Sequence, residues 1–113
     1  VEYLGESIIQ IGESEALARA LSVLKSAEST LVGSGDDAAV IAVTDPRVVI
    51  TTDTMVENHD FRNSWSSGFD LGFKAVMTNA ADLVAMGATP RALTVALIIS
   101  SETKQAWLED LPR

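Results

Sequence analysis

The stretch SGFDLGFKAVMTNAADLVAMGATPRALTVALII, residues 67–99, decides the fold. Ser67 can cap a helix, and Asp70 follows at capping-box spacing. The pattern predicts one helix from there to about Met86. Gly87 suits the position just past a helix end, and Pro90 forbids continuation. Arg91 to Ile99 is then nearly all apolar, which predicts a strand buried on both faces. Beyond it, Ser100 or Ser101 is expected to cap a last helix carrying Trp107, Leu108 and Leu111.

Upstream, residues 54–67 are mixed and polar and read mostly as loop. Ala38–Val43 and Arg47–Thr52 are apolar, β-branched runs. Thr44-Asp45-Pro46 between them reads as a tight turn, so the two runs predict a β-hairpin. Gly33-Ser34-Gly35-Asp36-Asp37 is a loop. Residues 6–27 place Ile8, Ile11, Leu17, Ala20, Leu21 and Leu24 at helical spacing, with Gly12 and Ser14 interrupting or restarting the helix. The order α-β-β-α-β-α predicts an α+β fold with helices packed on a small mixed sheet.

The chain has 113 residues, 47% of them apolar, which fits one domain with a real core. Such a domain buries only about two-thirds of its unfolded surface, so association can add to its stability. With 16 Asp+Glu against 8 Lys+Arg, the net charge is −8. That balance argues against nucleic acid or an anionic membrane as partner and suits cations. Residues 36–82 carry eight of the acids and three of the bases, so the negative charge concentrates there. The chain has no cysteine, which excludes disulfides, zinc-thiolate sites and a Cys nucleophile. No apolar run reaches the ~18 residues of a membrane span. The start Val1-Glu2-Tyr3 lacks both Met and a signal-peptide layout. A cytoplasmic protein, either processed or a fragment, is the expectation.

Three acidic places stand out. Asp36-Asp37 lies in a glycine-containing loop before a strand. Asp53 follows Val48-Val49-Ile50-Thr51-Thr52. Asp82 sits in a helix among Ala80, Ala81, Leu83 and Val84, one turn after Asn79. Each has a plain reading: turn chemistry for the pair, a cap for Asp53, solvent exposure for Asp82. The apolar neighbours of Asp82 nevertheless favour a place near the core, where a carboxylate needs a partner or a metal. Together they look like a magnesium platform, because Mg²⁺ takes carboxylates, water and phosphate oxygens. Thr51 and Thr52 add oxygens. Metal ions bridging carboxylate to phosphate would let an acidic site hold a polyphosphate such as ATP. Phosphoryl transfer then proceeds by positioning and charge neutralisation. No Walker-type loop is present. His59, the single histidine, is a weaker candidate base. Arg62 and Lys74 could meet phosphate or simply form surface ion pairs. Phe61 and Trp65 read as core or interface.

These residues carry a resemblance. Leu4-Gly5-Glu6, the run Gly35-Asp36-Asp37-Ala38-Ala39-Val40, and Thr51-Thr52-Asp53-Thr54-Met55-Val56-Glu57 resemble the N-terminal domain of the thiamine-monophosphate kinases. So do Gly72-Phe73-Lys74-Ala75 and Asn79-Ala80-Ala81-Asp82-Leu83-Val84-Ala85-Met86-Gly87-Ala88-Thr89-Pro90. That family belongs to the aminoimidazole ribonucleotide synthetase superfamily. The resemblance implies in-line transfer of the γ-phosphoryl of ATP to thiamine monophosphate, with several Mg²⁺ ions. It implies Asp37, Thr51, Thr52, Asp53 and Asp82 as metal ligands, with Asp53 and Asp82 bridging. It also implies a homodimer whose sheets join into a barrel, and a second domain beyond residue 113, without which this piece is catalytically incomplete.

One departure falls at Asn58-His59-Asp60-Phe61, where the family has Gly-Val-His-Phe or Gly-Asn-His-Phe. Aligning on Phe61 puts Asp60 at the substrate-contacting position, with His59 one residue early; a shifted loop would instead present His59. Asp60 is favoured because it needs no register change. Two other readings stand beside this one: a superfamily member with a different acceptor, and a non-catalytic dimerisation or nucleotide-binding domain.

Overall fold

The computed structural model describes residues 2–25, 27–33 and 38–113. Gly12, at φ 84°, divides the N-terminal helix into α1 (Ile8–Ile11) and α2 (Glu13–Leu21). The break was expected; the end is earlier than residue 27. Ala16 and Ala20 are the buried face of α2, whereas Leu24 is 49% exposed, so the pattern continues where there is nothing left to pack against.

Among the described residues, two short sheets form in place of one. β1 (Thr30–Val32) pairs antiparallel with β2 (Val40–Ile41), and β3 (Thr54–Val56) pairs parallel with β4 (Ala96–Ile98). The predicted hairpin is therefore corrected: the partner of the 38–43 run is β1, and residues 47–52 form no strand. Asp45 accepts bonds from the backbone N–H of Arg47 at 2.9 Å and from its guanidinium at 3.1 Å. The turn thus closes on its own side chains, while Ala42 N–H goes to Ser29 O at 2.7 Å. The predicted loop at 54–67 is corrected at its first three residues, which are β3.

Parallel strands need a crossover, and here the helix α3 (Gly68–Ala85) supplies it. Its boundaries follow the sequence. Ser67 Oγ accepts from Asp70 N–H at 3.1 Å, and Asp70 returns a carboxylate to Ser67 N–H at 2.9 Å. Gly87 takes φ 73° just past the end. The following strand is shorter than predicted and is not buried on both faces: Ile98 is 58% exposed, because a two-stranded sheet leaves one face uncovered.

The last helix, α4 (Gln105–Asp110), has Lys104 and not Ser100 or Ser101 at its N-cap position. Ser100 instead holds a turn, its carbonyl accepting from Thr103 N–H at 3.0 Å and its Oγ from Glu102 N–H at 3.2 Å. The N-terminus then anchors the helix start: Ile8 N–H reaches Thr103 O and Gln105 N–H reaches Glu6 O.

The core sits where α2, α3 and α4 meet β3. Trp107 and Leu71 are its largest fully buried side chains. The Trp107 ring stacks on Phe61 at 5.8 Å, and its indole N–H donates to Ser66 O at 3.1 Å. α3 approaches the α4 end through Gly68 and Gly72. A Cβ at either would overlap the backbone carbonyl of Trp107 or of Leu111. The architecture is a mixed α and β one, as expected for an α+β fold.

Candidate functional site

The sequence-predicted metal residues fall in three places. Asp36 and Asp37 lie outside the described residues. Thr51, Thr52 and Asp53 lead directly into β3; Thr51 is half-buried and the other two are exposed. Asp53 Oδ1 accepts the N–H of Thr54 at 2.9 Å, so the carboxylate caps the strand start and stays accessible. Asp82 is exposed on α3, which corrects its placement near the core. Its neighbour one turn earlier, Asn79, is the buried member of the pair, donating to Ala75 O at 2.9 Å. The donor set is all oxygen, as a hard cation requires. Among the described residues, no three carboxylate or imidazole groups come close enough to hold a metal.

The other end of β3 is built differently. The Glu57 carboxylate accepts the N–H of Ser100 at 2.6 Å, and Glu57 N–H donates to Ile98 O at 2.9 Å. This clamps the end of β3 to the end of β4. The chain then reverses through Asn58, whose φ of 65° is in the left-handed region. Asn tolerates that region better than most residues with a β-carbon. Asn58 N–H closes the turn on Phe61 O at 2.7 Å.

Asp60 holds the turn from inside. Its Oδ2 accepts Val56 N–H at 2.8 Å, and its Oδ1 lies 2.9 Å from His59 Nδ1. Its own carbonyl accepts the Lys74 ammonium at 2.7 Å. The Val56 bond, then the His59 bond, hold the Asp60 carboxyl below the usual carboxylate range. His59 is 81% exposed at the side chain. Arg62 lies 4.6 Å from the Trp65 ring centroid, a cation–π pair. Trp65 is 77% exposed, whereas Phe61 is core. His59, Asp60, Arg62, Trp65 and Lys74 line a cleft of about 330 Å³ between this turn and the first turns of α3. The expected surface ion pairs of Arg62 and Lys74 are replaced by an indole and a backbone carbonyl.

The structure therefore keeps Asp53 and the Asp60 turn at opposite ends of one strand. Sequence reasoning missed Glu57 as a clamp and Asn58 as the reversal. The Asn at the head of the polar run Asn58-His59-Asp60 was the available signal for the second.

The AIR synthase related protein family, N-terminal domain, matches residues 35–113. The chain is 39% identical over 97 residues to "Thiamine-monophosphate kinase" of Mycobacterium tuberculosis, covering 86% of this chain and 29% of that protein. It is 35% identical over 111 residues to the protein of the same name from Corynebacterium glutamicum, covering 96% and 32%. The Escherichia coli protein of that name is 36% identical over 100 residues, covering 87% and 30%. The chain thus spans about three-tenths of the length of these curated relatives. No solved structure matches. No helix among the described residues is long and apolar enough to cross a membrane.

Proposed function

This chain belongs to the AIR synthase related protein family, as its N-terminal domain, and we propose that the protein it comes from phosphorylates thiamine monophosphate. The observation that carries this reading is the agreement of relatives named thiamine-monophosphate kinase across most of this chain. ATP is the donor. A phosphate oxygen of the acceptor attacks the γ-phosphorus in line, the bond from that phosphorus to the β-bridging oxygen breaks, and ADP leaves. The products are thiamine diphosphate and ADP. Residues 1–113 act as the ATP- and Mg²⁺-binding and dimerisation domain. The setting is cytoplasmic, with a second copy as partner and neither nucleic acid nor membrane.

Asp37, Thr51, Thr52, Asp53 and Asp82 would hold the magnesium ions, with Asp53 and Asp82 shared between ions. Their oxygen-only chemistry and the exposure of Asp53 and Asp82 support this. When bound, the metal neutralises charge on the transferring phosphoryl group. The turn around Asp60 serves the acceptor.

The test is phosphorus NMR on the full-length protein with ATP, Mg²⁺ and thiamine monophosphate. ADP and thiamine diphosphate should appear together. Intact ATP, or hydrolysis with thiamine monophosphate unchanged, would move the assignment to another acceptor or to a non-catalytic role. In the same assay Asp82→Asn should lower kcat at least about a hundredfold, because a lost metal-bridging charge removes several kcal/mol of transition-state stabilisation. Near-wild-type turnover would reject the metal-ligand role.

A further inference from the structure

Resting on the acceptor role given above to the 58–61 turn, we propose that Glu57 is a positioning residue: its carboxylate stands in for its own backbone carbonyl at the end of the β3–β4 ladder and so fixes that turn. The register pairs Val56 with Ile98, which makes Glu57 the next residue of the ladder. Its N–H donates to Ile98 O at 2.9 Å, as a parallel ladder requires. The same pattern calls for Glu57 C=O to accept from Ser100 N–H. Ser100 N–H instead meets Oε2 of the Glu57 carboxylate at 2.6 Å. The side chain thus supplies the acceptor that the backbone would otherwise have given.

This substitution lets the main chain leave the sheet early. Asn58, at φ 65°, reverses the chain, and its N–H closes the turn on Phe61 O at 2.7 Å. Without the carboxylate, either Ser100 N–H loses its acceptor or Glu57 C=O swings in to take its place. The second choice rotates the peptide that also carries Asn58 N–H, because both groups lie in one plane. The bond that closes the turn would then break. The other half of the clamp is well anchored. Ser100 opens the loop whose Ser101 and Thr103 carbonyls accept Ile9 N–H at 2.8 Å and Ile8 N–H at 3.0 Å. Glu57 itself lines a separate cavity of about 380 Å³ with Asn63, Ser100 and Thr103, and is not in the wall of the cleft formed by residues 58–62. Its effect on what that cleft holds therefore passes through the turn.

Three replacements separate reach from charge. Glu57→Gln keeps an acceptor oxygen at the same reach and drops the charge. Glu57→Asp keeps the charge and withdraws it by a methylene. Glu57→Ala removes both. Amide exchange read by NMR on the full-length protein, without substrate, reports Ser100 for the clamp and Asn58 for the turn. Both amides should be protected in wild type and in Glu57→Gln. Asn58 should lose protection at least about tenfold in Glu57→Asp and Glu57→Ala, whichever partner Ser100 N–H then finds. Should Glu57→Ala fail to fold, the comparison of Glu57→Gln with Glu57→Asp decides alone.

In turnover, Glu57→Asp and Glu57→Ala should raise the KM for thiamine monophosphate roughly tenfold, the loss of one hydrogen bond. Apparent affinity falls with the fraction of molecules that hold the competent turn. The KM for ATP should not move, and Glu57→Gln should recover most of the loss. A clamp that only stabilised the fold would lower the number of active molecules, and hence apparent kcat, with both KM values unchanged. Undiminished Asn58 protection in Glu57→Asp and Glu57→Ala, a Glu57→Gln variant as poor as Glu57→Ala, or equal rises in both KM values would each overturn the proposal. A full-length protein that leaves thiamine monophosphate untouched, yet loses Asn58 protection in Glu57→Asp and Glu57→Ala and not in Glu57→Gln, would sink the acceptor assignment and keep the clamp.

Discussion

Asn58 occupies a left-handed conformation, φ 65°, that costs most residues with a β-carbon about 1–2 kcal/mol. A side chain branched at Cβ is worse placed there than Asn, and glycine is better placed. Asn58→Gly should therefore be tolerated or mildly stabilising in urea unfolding. Asn58→Val should lose about 1–2 kcal/mol. Equal midpoints for both variants would mean that the turn relaxes to an ordinary conformation. At this scale the sequence was only partly legible. It named His59 and Asp60 as rivals for one role, because it shows neither residue's hydrogen-bond partners. Val56 is only four positions from Asp60, yet nothing in the composition of 54–61 reveals that its N–H folds back onto that carboxylate.

The helix α3 is the element the sequence described best, since its cap and stop are local chemistry. Two bonds to Ser67 hold the Asp70 carboxyl below its ordinary range, its Oγ contributing more than its N–H. A carboxylate with a lowered folded pKa stabilises the fold above its unfolded pKa of about 3.9. That contribution is lost as the pH falls through the lower folded value. Wild type should therefore lose its advantage over Asp70→Ala in acid titrations below about pH 4, with the full difference retained at pH 7. A difference that persisted undiminished to the acid limit would locate the effect elsewhere. Gly72 tests the packing of the same helix. Its Cβ would meet the Leu111 carbonyl, a backbone group with little freedom to move away. Gly72→Ala should destabilise by about 1–3 kcal/mol despite the gain in helix propensity. A more stable Gly72→Ala would show that the α3–α4 contact is loose.

The molecule as a whole leaves much apolar surface uncovered. Its radius of gyration is 15.1 Å, against about 13 Å for a compact domain of this length. Its accessible area is 8117 Å², against about 6,000 Å² for a monomer of this mass. Val43, Val48 and Ile50 around the Asp45 turn and Phe73, Val76, Met77 and Val84 on α3 are all at least half exposed. The excess, about 2,000 Å², is the size of a substantial protein interface. It supports the proposed association of two copies. Ile50, 84% exposed, is a suitable probe because no side-chain packing in the monomer depends on it. The wild-type chain should sediment as a dimer, and Ile50→Asp should shift it to monomer with its helical circular dichroism kept. A wild-type monomer at all accessible concentrations would assign that surface to another cover.

The sequence alone determined what depends on neighbours a few positions apart. The Ser67 cap, the stop at Gly87, the break at Gly12 and the apolar face of α4 all follow from local hydrogen bonding and helical spacing. It also held the family signature, because that lies in the order and identity of side chains and not in their positions. Only the tertiary structure decided strand partners and burial. The 38–43 run read as half of a hairpin but pairs with Thr30–Val32, since a ladder joins residues that sequence spacing does not relate. The apolar neighbours of Asp82 favoured a place near the core over the solvent-exposed alternative, but it faces solvent, because helical spacing groups residues by face without saying which face the core covers. Asp60 and His59 read as rivals for one contact, and only the structure shows the Asp60 carboxylate accepting Val56 N–H within its own turn. Which atoms a carboxylate meets is fixed by the path of the backbone, and that path is set by β3, β4 and α3 together.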